Sequence, residues 1–89
     1  MALTVRPEPT PNPNAIRFAL SSPVLGDRPR TFGSAGSAAG TPWAERLFAI
    51  PGVLGLFGLK DFLTITKAAE ARWDTIVPKA VEILTTDLA

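Results

Sequence analysis

The chain contains no cysteine and no histidine. Without thiolates or imidazoles it has no soft or borderline ligand for zinc, iron or an iron-sulfur cluster, and it has neither a cysteine nucleophile nor a histidine base. Disulfides are excluded as well, so packing alone must hold the fold. Charge of one sign is also missing. Nine basic and eight acidic residues leave +1, scattered along the chain, and the field needed to hold a nucleic-acid backbone is absent. Long hydrophobic runs are lacking too. Apolar stretches are broken by Gly, Pro or charge within about ten residues, far below the roughly 20 needed to cross a bilayer. The N-terminus shows no basic-then-apolar signal pattern. The expectation is a cytoplasmic protein with no membrane and no nucleic-acid partner.

What remains is a chain that is 46% hydrophobic and 19% charged over 89 residues, apolar enough to fold as a single domain over 1–89 and too short for two. Leu3-Thr4-Val5-Arg6 alternates apolar with polar residues, and Ile16, Phe18 and Leu20 alternate around Arg17, which predicts two half-buried strands. Between them lies Glu8 to Phe18, EPTPNPNAIRF. Each proline fixes φ, supplies no N–H and pushes its predecessor toward extended geometry, so Pro7 to Pro13 is expected to be a stiff connector outside any ladder. Thr10, Pro11, Asn12, Pro13 and Asn14 then have two readings. Asn12 and Asn14 close side-chain turns that reverse the chain, or the rigid loop presents its polar groups to a partner at low entropic cost.

Ser21 to Gly40 is rich in Ser, Gly and Pro and reads as loop, with a short edge strand at Arg30 to Phe32. Its GSAGSAAG run has neither the lysine-hydroxyl pair of a phosphate-binding loop nor the flanking strand of a dinucleotide site, and it reads as linker or a weak helical turn. Thr41-Pro42 marks a helix start with a hydroxyl cap and proline in the first turn. Ala44, Leu47 and Phe48 form that helix's apolar stripe, and Pro51-Gly52 ends it.

Val53 to Gly58 and Phe62 to Lys67 read as a hairpin around Gly58-Leu59-Lys60-Asp61. Setting Phe57 opposite Phe62 places Leu54, Leu56, Leu63 and Ile65 on one aliphatic face, expected to be the core. Phe57, Phe62, Val53 and the threonines fall on the other face. Asp74 or Thr75 is expected to cap a last helix, which tolerates Pro78 in its first turn. Ile76, Val77, Ala80, Val81, Leu84 and Leu88 form its buried stripe. The order strand, strand, helix, strand, strand, helix predicts an α+β fold of two layers, with an antiparallel sheet of about four strands and two helices on one face.

In that order and at similar intervals, EPTPNPNAIRF, TPWAERLFAIPGV, DFLTITK and Trp73 resemble the N-terminal domain of Nfu-type (NifU-like) iron-sulfur cluster scaffold proteins. The resemblance covers most of the chain, from Leu3 to the last helix. It implies that full-length relatives carry a second, C-terminal domain whose Cys-x-x-Cys motif holds the cluster. No stretch of these 89 residues corresponds to that domain, so the expectation is a stand-alone N-terminal-like domain. Two departures stand out. Relatives have a more acidic, helix-prone segment at Ser34 to Gly40, where glycines 36 and 40 cost about 1 kcal/mol each in a helix and predict a shortened first helix. Relatives also have Gly-Pro-Asp at the hairpin loop, where this chain has Leu59-Lys60-Asp61.

Catalysis requires a nucleophile, a base and a charge-stabilising group in one pocket. Asp61, Glu70 and Asp74 fall at loop or helix-start positions, and Ser21, Ser22 and Ser34 have no histidine to activate them. No acidic run has calcium-loop spacing. The expectation is therefore no enzyme, no metal site and no resident cofactor. A protein-interaction accessory in cluster assembly or delivery is expected instead, with the Thr10 to Asn14 loop and the Phe57 and Phe62 face as contacts. Its partner would be a cysteine-bearing Nfu-type scaffold or a client apoprotein. The alternative is a structural domain that self-associates through the same phenylalanines.

Overall fold

The computed structural model describes residues 3–87, leaving aside the Ala35 side chain. Five strands, β1 (Val5–Pro9), β2 (Ala15–Leu20), β3 (Arg30–Phe32), β4 (Val53–Leu59) and β5 (Phe62–Lys67), form one antiparallel sheet in the order β1-β2-β5-β4-β3. Helices α1 (Pro42–Phe48) and α2 (Trp73–Asp87) pack on one face. Phe18, Leu63 and Ile65 of the central strands meet Leu47, Ile76 and Leu84 of the helices, and all six are fully buried. The two-layer α+β architecture is the one expected, and the fifth strand is the short edge piece at Arg30.

The proline segment departs from expectation. Pro7 and Pro9 lie inside β1, opposite Phe18 and Ile16, where a connector outside the ladder was expected. The reason is the position of β1 at the sheet edge. Ser21 N–H donates to Thr4 O at 3.0 Å, and bonded pairs alternate along an antiparallel ladder. The bonds of Arg6 and Glu8 therefore point toward β2, and those of Val5, Pro7 and Pro9 point outward. Each proline occupies a slot whose N–H has no ladder partner to lose.

The hairpin register is shifted by two residues from that expected. Leu59 faces Phe62, Phe57 faces Thr64 and Leu56 faces Ile65, so the loop shrinks to Lys60-Asp61. Lys60 takes φ +53, a left-handed conformation held from outside the hairpin. Its N–H donates to Gly26 O at 2.9 Å, and its carbonyl accepts from Leu25 N–H at 3.1 Å. Because side chains alternate with period two, an even shift leaves each residue on its expected face. Leu56, Leu63 and Ile65 are buried as expected. Leu54 and Val53 are the exceptions: Leu54, expected in the core, is 54% exposed, and Val53, expected on the opposite face beside the phenylalanines, is buried in the core, because a bulge between Val53 and Gly55 breaks the alternation there.

Both helix starts also differ in detail. The Thr41 side chain makes no capping bond to α1, and Gly40 N–H instead donates to Glu45 Oε2 at 3.4 Å. The segment before it closes into a 3-10 turn over Ala35–Ala38, the weak helical turn that a glycine-rich run permits. Helix α2 begins at Trp73, ahead of the expected Asp74 or Thr75, with the N–H groups of Thr75 and Ile76 both directed at Arg72 O. Pro78 lies beyond the first turn, inside the helix. Asp74, whose carbonyl loses its i+4 donor to that proline, is exposed. Of the predicted stripe, Ile76, Ala80 and Leu84 are buried and Val77 and Val81 partly so. Leu88 lies outside the described residues.

A candidate interaction face and a tethered loop

The five residues from Thr10 to Asn14 turn the chain from β1 into β2 by local bonds. Asn12 Oδ1 accepts from Asn14 N–H at 2.9 Å, and Asn12 O accepts from Ala15 N–H at 3.0 Å. The Thr10 hydroxyl lies 2.9 Å from both the Asn12 and Ala15 carbonyl oxygens, with one proton to direct at them. It also accepts from Asn12 N–H at 3.2 Å. These are the turn bonds expected of asparagine and threonine beside proline.

Two distant residues then fasten the loop from behind. Lys67, at the end of β5, follows Leu63 and Ile65 on the core-facing parity and is only 7% exposed. Its Nζ donates to Asn14 Oδ1 and to Ala68 O, both at 3.2 Å. It also lies 5.7 Å from the Trp73 ring centroid. The Trp73 indole N–H donates to Pro13 O at 3.0 Å. Most polar groups of the loop are therefore spent on holding its own shape, and Pro11, Asn12 and Pro13 stand at its exposed tip. The Lys67 and Trp73 tethers were not anticipated. One signal was available: a lysine at a core-facing strand position has to find acceptors.

The sheet face opposite the helices carries Arg17, Ala19, Phe57, Leu59, Phe62 and Thr64, placed there by strand alternation. No described helix covers it. Phe57 is 37% exposed. Its ring centroid lies 5.9 Å from that of Phe62 at an interplanar angle of 41°, a diagonal contact across the shifted register. The Arg17 guanidinium carbon lies over the Phe62 ring, 4.5 Å from its centroid. Trp73, a residue that could have covered the phenylalanines, is instead at Pro13.

The structure does not unite the two sets of expected contact residues. Phe62 opens β5 and Lys67 closes it, and five residues of strand at about 3.4 Å each put roughly 17 Å between the aromatic pair and the loop tether.

The candidate catalytic and metal-ligating side chains are dispersed over the structure. Asp61, Glu70, Asp74, Ser21, Ser22 and Ser34 are not gathered at one place: Asp61 closes the hairpin and Asp74 pairs with Arg72 at 3.5 Å on the surface. Ser21 Oγ accepts from Thr4 N–H at 2.9 Å. Among the described residues no group of three His, Cys, Asp or Glu side chains could hold a metal ion. The donor set does not fit an iron-sulfur cluster, whose irons take thiolate or imidazole.

The family described as "Scaffold protein Nfu/NifU N terminal" matches residues 5–89. The chain belongs to this Nfu/NifU N-terminal family. It is 37% identical over 75 residues to the human "NFU1 iron-sulfur cluster scaffold homolog, mitochondrial", a match covering 83% of this chain and 30% of the relative. It is 35% identical over 74 residues to "NifU-like protein 5, mitochondrial" from Arabidopsis thaliana, covering 83% of this chain and 27% of that one. The chain thus spans less than a third of the length of these relatives. The solution structure of a NifU-like protein from Saccharomyces cerevisiae superposes with a TM-score of 0.86 at 26% identity, over 98% of this chain and 79% of that one. The Nfu/NifU N-terminal fold is thus the scaffold on which the tethered loop and the open sheet face are carried.

Proposed function

We propose that residues 1–89 act as a single non-catalytic interaction domain in iron-sulfur cluster assembly or delivery, and that the cluster is ligated by another domain or protein. The observation that carries this reading is the uncovered sheet face, with Phe57 and Phe62 in contact at its centre. Aromatic side chains left on an exposed face favour a protein contact. Family membership sets the context, and the missing thiols and imidazoles direct the cluster elsewhere. The partner is a cysteine-bearing Nfu-type scaffold or a client apoprotein. The exposed tip of the Thr10 to Asn14 loop, at Pro11 to Pro13, forms a second, smaller contact, separate from the face. The reading keeps the cytoplasmic placement expected from the sequence, which cell fractionation tests.

The experiment compares the wild-type chain with the Phe57→Ser, Phe62→Ser double variant as bait in cells, after circular dichroism shows both folded. The reading expects a protein of cluster biogenesis to be recovered with the wild type and lost with the variant. Recovery of none by the wild type, or equal recovery by both, contradicts it. A wild-type dimer in light scattering that the double variant converts to monomer assigns the face to self-association instead.

A further inference from the structure

The open face is not simply apolar. Arg17 lies near its centre on β2, facing Glu8 of β1 on one side and Thr64 of β5 on the other. Cross-strand position alone would join Arg17 to Glu8, yet among the described residues Arg17 forms no ion pair. Its guanidinium is laid instead on the Phe62 ring at 4.5 Å, and Phe62 in turn contacts Phe57. A guanidinium whose central carbon sits over a ring still has N–H donors directed away from it, and these can take a planar carboxylate in a two-bond fork. Stacking also holds the side chain in place beforehand, so less freedom is lost when a ligand arrives. The other charges projected from this face are Arg6 and Glu8 of β1, so two arginines stand against one glutamate.

The size of the face narrows the occupant. Five strands about 4.8 Å apart and three to seven residues long, at about 3.4 Å per residue, present a footprint of roughly 440 Å². Stable interfaces of standard size take about 600 to 1,000 Å² from each partner. A second copy packed face to face would bury too little for a lasting dimer. A segment that binds and leaves is within range.

We infer that the face takes a protein segment presenting an aspartate or glutamate beside an apolar side chain, the carboxylate on Arg17 and the apolar group on the Phe62–Phe57 pair. This rests on the docking reading above and names its chemistry. Single-stranded nucleic acid can also stack on paired rings, but it needs a basic groove to track its phosphates, and one excess positive charge is not such a groove.

The test titrates the isotope-labelled chain with two synthetic peptides, one holding Glu-Leu pairs spaced by Gly-Ser and one with Gln in place of each Glu, and with octauridylate. The inference expects saturable shifts at the Arg17 Nε–H and at the Phe57 and Phe62 amides. It expects the Glu peptide to bind roughly fivefold or more tightly than the Gln peptide, and Arg17→Gln to remove that difference. Equal binding of the two peptides, shifts centred elsewhere, no saturable shift, or tighter binding of octauridylate overturns it. Using Arg17→Gln as bait in cells separates the two readings. If the partner is lost with the phenylalanine variant and kept with Arg17→Gln, docking stands and the carboxylate inference falls. If it is kept with both, docking itself fails.

Discussion

The Trp73 indole N–H reaches the carbonyl oxygen of Pro13 at 3.0 Å, joining the first residue of α2 to a loop 60 positions earlier in the chain. With Lys67 on Asn14, this bond makes the proline loop part of the folded body. Its rigidity has two sources, the local turn bonds and the tether behind them.

Trp73→Phe removes the donor and keeps most of the ring. Stability is expected to fall by about 1 kcal/mol, the usual net worth of one such bond, with faster amide exchange confined to the Asn12 and Asn14 region. Denaturant unfolding and hydrogen exchange measure the two effects. Unchanged exchange in the loop would mean that the turn bonds alone hold it.

Asn14→Ala deletes the side-chain acceptor of Lys67 Nζ and leaves Ala68 O as the remaining protein acceptor. A buried charged donor that loses a partner costs about 1 to 3 kcal/mol. The predicted drop in midpoint exceeds that of the same substitution at the exposed neighbour Asn12, and urea unfolding of the two variants makes the comparison.

Gly52 follows α1 with φ +97, and a Cβ there would collide with the Cβ of Ala71. Gly52→Ala combines a left-handed conformation with overpacking and should cost about 2 kcal/mol or more. For a domain of this size that lowers the melting temperature by roughly 8 °C or more. A melting temperature within a degree or so of wild type would contradict the close approach.

Pro7 and Pro9 leave Val5 as the one residue of β1 whose N–H points off the sheet edge. Replacing them with Val and Thr restores two outward donors to an exposed edge, and unprotected edges recruit other strands. Sedimentation velocity should show stronger concentration-dependent association than wild type. Identical behaviour would mean that the prolines serve only to shape the loop.

Much of this architecture could be read from alternation. Period-two patterns identified β2, β4 and β5 and separated Leu56, Leu63 and Ile65 from Phe57 and Phe62, and that separation survived a register error because the error was even. The register itself was not legible. The Lys60-Asp61 loop lacks a glycine at its left-handed position, and its support comes from Leu25 and Gly26, far away in sequence. The rule that bars proline from ladders applies to both edges of a central strand. It misled at β1, because strand order decides which slots are outward. At the site, the local bonds of Thr10, Asn12 and Asn14 followed from residue type, whereas the tethers from Lys67 and Trp73 depend on the three-dimensional meeting of β5 and α2 with the loop.

The central claim is that residues 1–89 serve a cluster held by another domain or protein through the Phe57 and Phe62 face. Its most direct test is a spectral titration of the isotope-labelled chain with a purified, cluster-loaded Nfu-type domain bearing the Cys-x-x-Cys motif. The account predicts saturable shifts at Phe57, Phe62, Arg17 and Thr64, abolished by Phe57→Ser with Phe62→Ser, while the cluster absorbance stays with the cysteine-bearing domain. Migration of a stable, stoichiometric cluster onto this chain, or shifts confined to the helical face, would contradict it.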